Sequence, residues 1–253
     1  MKNTLIALLS IFALAGCKKE KNEEPKPEAI IISVSGDITA KVNEFRTILG
    51  SVLNTTPGQT SGRREINWDA VPDMFASQKI PSDFFNPVAP GSNTALQRGF
   101  RYAAAVDARI SSNGFANIDA SNGTEFSAFS GAKVFSAVSS NVWNVEFEVP
   151  GQSVAASVKG FGAVFSDVDD PAATSVEYFS GDRSLGVYKV PAAGGSGKFS
   201  FLGVYFPGEK VTKIRIRQGS TVIANGVKDI TSGGTVDLVV MDDFLYDEPK
   251  AIE

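Results

Sequence analysis

Val145-Glu146-Phe147-Glu148-Val149 alternates apolar and acidic side chains, and the stretch from Thr212 to Arg217 does the same with basic ones. There Thr212, Ile214 and Ile216 interleave with Lys213, Arg215 and Arg217. A period of two is that of a β-strand with one face buried and the other wet. Outward from these two stretches, from Arg98 onward, short runs of Val, Ile, Phe and Tyr are separated by Gly, Asp, Asn and Ser clusters. Residues 158–168, 175–180, 185–190, 199–206 and 235–245 predict further strands. Ser180-Gly181-Asp182-Arg183-Ser184 reads as a hairpin turn between two of them. Period-two strands joined by short turns predict an all-β fold, a jelly-roll-like β-sandwich, with a closed barrel as the structural alternative.

Ahead of this region, residues 29–35 form a β-branched apolar run and a first strand. Asp37 is placed to cap a helix running to about Leu53. Ile38, Val42, Phe45, Leu49 and Val52 recur at spacings of three and four, so they share one face. This is the one N-terminal helix expected. Residues 54–64 read as a polar loop. Residues 65–96 read as long loops rich in proline and aromatics, with a helical turn near 71–77.

The extreme N-terminus carries an address. Lys2 supplies a basic start, and residues 5–15 are apolar except for Ser10. That length suits a signal peptide and falls short of the roughly 20 residues of a spanning helix. The run ends in Leu14-Ala15-Gly16-Cys17, which resembles the lipobox of bacterial lipoproteins. The resemblance implies cleavage before Cys17 and lipidation of that cysteine, the only one in 253 residues. Each buried methylene contributes about 0.8 kcal/mol, so two or three acyl chains hold where one would leak. Lys18, where an aspartate would imply inner-membrane retention, points by the same resemblance to the outer membrane or cell surface. Residues 17–28, charged and proline-containing, cannot offset their ordering entropy by burial and read as a flexible tether. The expected organisation is a signal peptide over 1–16, a tether over 17–28 and one sandwich domain over 29–253. A chain of this size buries enough surface without disulfides. A net charge of −4 gives no reason to expect nucleic acid as a partner.

Three stretches carry a second resemblance: residues 63–73 (Arg-Arg-Glu-Ile-Asn-Trp-Asp-Ala-Val-Pro-Asp), residues 160–169 (Gly-Phe-Gly-Ala-Val-Phe-Ser-Asp-Val-Asp) and residues 239–246 (Val-Val-Met-Asp-Asp-Phe-Leu-Tyr). They resemble a group of uncharacterised secreted bacterial proteins, many of which end in a sorting signal of the PEP-CTERM kind. The resemblance spans most of residues 38–249 and implies late strands like those of carbohydrate-binding jelly rolls. The expected departure is the lack of a C-terminal sorting helix, with the N-terminal lipid serving in its place.

Chemistry is bounded by composition. The chain has no histidine. A Ser-His-Asp triad, a Cys-His pair, a histidine zinc site and a histidine base are therefore excluded, and a lipidated Cys17 leaves no thiol nucleophile. Gly160-Phe161-Gly162 is followed by no helix pattern and is not a dinucleotide fingerprint. Gly194-Gly195-Ser196-Gly197 lacks the lysine of a phosphate loop and reads as a flexible hairpin. Carboxylate-only glycoside hydrolysis stays open at Glu146 and Glu148, which share a strand face, although solvent-facing charges also belong there. Asp167, Asp169 and Asp170 cluster after one strand, and Asp242 and Asp243 on the last. Such aspartates suit a hard cation, and jelly-roll binding domains often carry a structural calcium built from a loop and a terminal strand. Aspartates capping turn amides are the plainer reading. Trp68 and Trp143, with Phe84, Phe85 and Tyr102, offer flat rings for sugar stacking. Trp68, in a polar loop, is the expected ligand contact unless it pins that loop to the sandwich. No catalytic residue is expected. The expected role is a lipid-anchored, non-catalytic binding or adhesion domain for a glycan or another surface polymer. A structural envelope or matrix protein acting by self-association is the alternative, ahead of a hydrolase.

Overall fold

The alternating stretches pair with each other. In the computed structural model, which describes residues 26–252, β6 (Val142–Glu148) and β12 (Lys213–Arg217) are antiparallel neighbours. Trp143 lies opposite Ile216 and Val145 opposite Ile214 on the buried face. Asn144 lies opposite Arg215, and Glu146 opposite Lys213, on the outer face. The cross-strand Glu–Lys and β-branched pairs are of the kind that stabilise a sheet locally. The signal peptide, Cys17 and the tether up to Pro25 lie outside the described residues.

Two seven-stranded antiparallel sheets stack face to face, as expected of an all-β sandwich. The first contains β1 (Ile30–Ser35), β2 (Arg63–Ile66), β4 (Ala108–Ser111), β5 (Val134–Ala137), β8 (Gly160–Ser166), β11 (Phe199–Tyr205) and β13 (Val240–Asp247). The second contains β3 (Phe100–Tyr102), β6, β7 (Ala155–Ser157), β9 (Ser175–Ser180), β10 (Arg183–Lys189), β12 and β14 (Lys250–Ala251). Between β8 and β13 the chain passes repeatedly from sheet to sheet, which is the jelly-roll-like habit. The main core fills the space between the sheets and includes Trp68, Phe100, Phe135, Trp143, Phe161, Ile214 and Phe244.

Strands β8 and β13 are buried along nearly their whole length, because the first sheet is covered on its second face too. The helix α1 (Thr39–Leu49) supplies part of that cover. Val42, Phe45 and Leu49 point inward onto Ile32, Val164, Phe201 and Leu245. Gly162 and Gly203 stand opposite each other on β8 and β11. A Cβ at either would lie 2.7–2.9 Å from the Phe45 ring, so only this glycine pair lets the helix settle onto the sheet. Asp37 accepts a hydrogen bond from the Thr39 amide at 3.2 Å, but it stands one residue ahead of the N-cap position, which Ile38 occupies without a side-chain cap. The helix stops at Leu49, short of the expected Leu53, because Gly50 adopts φ 144°. Val52, expected on the buried face, is consequently exposed.

Other departures are local. Residues 63–66, read as loop, pair with β13 as a short strand. The helical turn expected near 71–77 is a 3-10 turn at Asp73–Ala76. The last long strand begins at Val240 and leaves residues 235–239 in the preceding loop. The hairpin at Gly181-Asp182 joins β9 to β10 as expected. Among the described residues, no helix is long and apolar enough to cross a membrane.

Candidate metal centre

At the end of β8 the chain turns through Asp167, whose φ of 72° is unusual for a residue with a side chain. The turn drives the Asp167 carboxylate into the protein, where it is fully buried. Neither of its oxygens finds a hydrogen-bond donor. A buried acceptor without a donor is uncommon and costly.

What surrounds Asp167 is more carboxylate. One oxygen each from Glu125, Asp167 and Asp229 lie within 4.8 Å of one another. So do oxygens from Asp169, Asp229 and Asp237. Three separate loops bring these five residues together. Glu125 closes the 3-10 turn at Ala120–Thr124, Asp167 and Asp169 follow β8, and Asp229 and Asp237 lie between β12 and β13. A small apolar cluster of Phe115, Phe126, Val134, Ile223, Leu238 and Val240 packs these loops onto the sandwich.

Hydroxyls and amides serve the cluster. Glu125 accepts from Ser196 at 2.9 Å, Ser232 at 2.6 Å, and Thr231. Asp229 accepts from the amides of Thr231 and Leu238 at 2.8 and 2.7 Å, and Thr231 Oγ1 lies 2.9 Å from its Oδ1. Thr231 has one hydroxyl proton and stands against both Glu125 and Asp229, so it donates to only one at a time. Asp237 accepts from the amides of Asp169 and Asp170 at 3.2 and 3.3 Å. Asp169 accepts from Gly195 at 3.0 Å through Oδ1, and its Oδ2 is left without a partner.

Burial, then the charges of Asp229, Glu125 and Asp169, push the Asp167 carboxyl up to about 9. Burial likewise pushes Asp237 up to about 7 and raises Asp169, against the backbone amides that pull both down. Two carboxylates at such separations repel by about 3 kcal/mol even at an effective dielectric near 20. An all-oxygen, histidine-free and thiol-free donor set of this kind suits a hard divalent cation and not a soft one. The residues therefore fit a metal ion, and the buried acidic cluster is competent to hold one.

Of the residues expected to bind metal, the structure brings Asp167 and Asp169 into this cluster and no others. Asp170 turns away and caps the Ala172 amide at 2.8 Å. Asp242 and Asp243 are corrected outright. A bulge in β13 buries both side chains beside residues 129–130. Asp242 accepts from the amides of Phe129 and Ser130 at 2.7 and 3.0 Å, and Asp243 pairs with Ser130 and with Arg46 at 3.2 Å. Both are already occupied with the chain.

Trp68 is corrected as well. It is fully buried, stacked on Phe135 with ring centroids 4.0 Å apart, and edged by Phe85, Phe100 and Phe244. The polar loop around it is the visible part, and the indole pins that loop to the core. Phe85, Tyr102 and Trp143 are buried too. Lipidation at Cys17 lies outside the described residues.

Glu146 and Glu148 share a cleft of about 390 Å³ with Arg101 and Tyr102. Both oxygens of Glu148 are engaged, by Arg101 at 2.6 Å and Asn86 at 2.8 Å. A second cleft, of about 430 Å³, opens at the other end of β8 between Leu49, Lys159, Tyr205, Lys210, Asp247 and Lys250. Comparisons with known protein families, with curated proteins and with solved structures find no match to this chain.

Proposed function

We propose that the chain is a non-catalytic binding or adhesion domain, held by lipid on Cys17 at the outer membrane or cell surface, with its loop end set by calcium. The observation that carries the calcium reading is the Asp167 carboxylate, fully buried, donorless and faced by other carboxylates. Calcium takes six to eight oxygens from carboxylates, carbonyls and water in a flexible shell, and loops supply these readily. It replaces mutual repulsion by attraction and so ties three loops into one surface. Outside the cytoplasm such a site is served by abundant calcium, which agrees with the exported address read from Leu14-Ala15-Gly16-Cys17. The partner that suits an anchored sandwich of this kind is a glycan or another surface polymer.

The test is a thermal melt of the full-length lipoprotein in detergent, with calcium and with chelator. Calcium at a hundredfold excess over its dissociation constant adds about 2.7 kcal/mol. A melting temperature that ignores both additions ends the calcium reading. Binding to immobilised surface polysaccharide, measured in the same two conditions, tests the adhesive role, and no retention in either condition ends it. Palmitate labelling that persists in Cys17→Ala ends the anchor.

A further inference from the structure

We infer that the acidic cluster holds two divalent cations side by side, with Asp229 bridging them. The inference rests on the calcium reading above and goes beyond it in number, arrangement and order of loss.

The geometry divides the carboxylates. Calcium–oxygen bonds run about 2.3–2.6 Å, so ligands of one ion stand no more than roughly 5 Å apart. The oxygens of Glu125, Asp167 and Asp229 satisfy that limit, and so do those of Asp169, Asp229 and Asp237. Among the described residues, no group of mutually close oxygens takes in all five residues. Two overlapping spheres meet at Asp229.

Each sphere also has its own unsatisfied acceptor. In the inner one, both oxygens of the fully buried Asp167 lack a donor. In the outer one it is Asp169 Oδ2. Asp229 has the capacity to bridge. A carboxylate offers about four lone-pair sites. Its Oδ1 accepts from the Thr231 amide and hydroxyl, and its Oδ2 from the Leu238 amide, with the hydroxyl shared with Glu125. When Thr231 turns its proton to Glu125, each Asp229 oxygen keeps a site for metal.

Charge points the same way. Carboxyl groups lose their protons when they take a metal, so five of them bound against one divalent ion leave three negative charges in a largely buried site. Against two ions they leave one. Buried uncompensated charge is expensive, so the second ion removes a penalty that the first leaves standing. The two positions differ in access. Glu125, Asp167 and Asp229 are all buried, whereas Asp169 in the outer sphere is partly exposed. The outer ion therefore leaves first.

Native mass spectrometry of the full-length lipoprotein, released from detergent after loading with calcium, counts the ions. The expected count is two per chain, falling to one under mild chelation and to none under strong chelation. Asp169→Asn keeps the Oδ1 bond to Gly195 and is expected to hold one ion. Asp229→Asn is expected to weaken both, so that neither survives mild chelation. Circular dichroism of each variant checks that the sandwich is intact, and the wild-type count decides alone where a variant fails to fold. A wild-type count of one overturns the paired site and leaves the calcium reading standing. A count of none overturns both, and any count above two overturns the pairing.

Discussion

Arg64 and Glu248 meet out of reach of solvent, with Nη2 and Nε of the arginine each 2.7 Å from a different carboxylate oxygen. The pair joins β2 to the segment just after β13, and it is not alone. Asn54 donates to Glu248 at 2.8 Å, and the guanidinium also reaches the carbonyls of Thr56 and Gln97. A buried bidentate pair with further hydrogen bonds to both partners is the geometry in which ion pairing offsets desolvation. It also explains how a polar loop over residues 54–62 is held against the sandwich with few apolar contacts of its own.

Truncating one partner strands the other. Glu248→Ala is expected to cost about 3–5 kcal/mol in urea unfolding, because it leaves a buried guanidinium uncompensated. The double variant Arg64→Met, Glu248→Leu is expected to lose clearly less than Glu248→Ala alone. Equal losses would show that the pair is solvated in the native state.

Trp68 is expected to act as a core residue. Trp68→Ala should cost about 3–5 kcal/mol, in line with other large-to-small aromatic substitutions. Because Trp68 and Trp143 are both buried, tryptophan emission of the native domain should be blue-shifted and insensitive to added saccharide. Quenching of that emission by a soluble sugar would return Trp68 to the surface and contradict the stacking on Phe135.

Gly203→Ala puts a methyl group 2.8 Å from the Phe45 ring. The overpacking should cost about 1–3 kcal/mol. The loss should show first as faster hydrogen exchange in α1, since Phe45 is, with Val42 and Leu49, one of the side chains that pack the helix on the sheet. Coupling the substitution with Phe45→Leu should recover part of the loss. A Gly203→Ala variant as stable as the parent would mean that the helix is free to move away.

The Asp247 carboxyl is raised to about 6, mainly by burial, against the amides of Gly160 and Lys159 that pull it down. The folded chain therefore holds this proton more tightly than the unfolded chain does. Its contribution to stability is complete below about pH 4 and fades as the pH rises through 6. The partly exposed position limits the effect to about 1–2 kcal/mol. Oδ1 alone accepts both amides, at 2.8 and 2.9 Å, so Asp247→Asn keeps those bonds. Its unfolding free energy should be flatter between pH 4 and 7 and higher at pH 7. Superimposable profiles for parent and variant would rule the carboxyl out.

Period-two alternation made the sheets legible. Residues 175–180 form the strand read from them, and the alternation in β6 and β12 places each side chain on its expected face. The helix was legible on its inner face and failed at its end, since a pattern continuing to Val52 says nothing about the φ that Gly50 adopts. The site was half legible. Asp167 and Asp169 are near neighbours in the chain and announce themselves. Glu125, Asp229 and Asp237 stand singly along the sequence, and only the tertiary fold unites them. Val236-Asp237-Leu238 did carry a signal, an acid between apolar residues ahead of a buried strand, but it reads equally as a wet strand face. Asp242-Asp243 misled for the opposite reason. Adjacent acids look like a ligand pair until a bulge turns each onto its own amide and hydroxyl donors.

The register of β1 has one more consequence. Ile30 pairs with Tyr205 and Tyr205 with Gly160, while Ser35 pairs with Ser200 and Ser200 with Phe165, so β1 and β8 run the same way. The chain thus enters the sandwich at one pole, and Asp167 follows β8 at the other, about 20 Å off. On the proposed anchor, the tether joins the pole that carries the Lys159–Tyr205 cleft, and the carboxylate loops lie at the opposite pole. On the calcium reading, chelation loosens the pole remote from Ile30 first, while the Lys159–Tyr205 end keeps its shape.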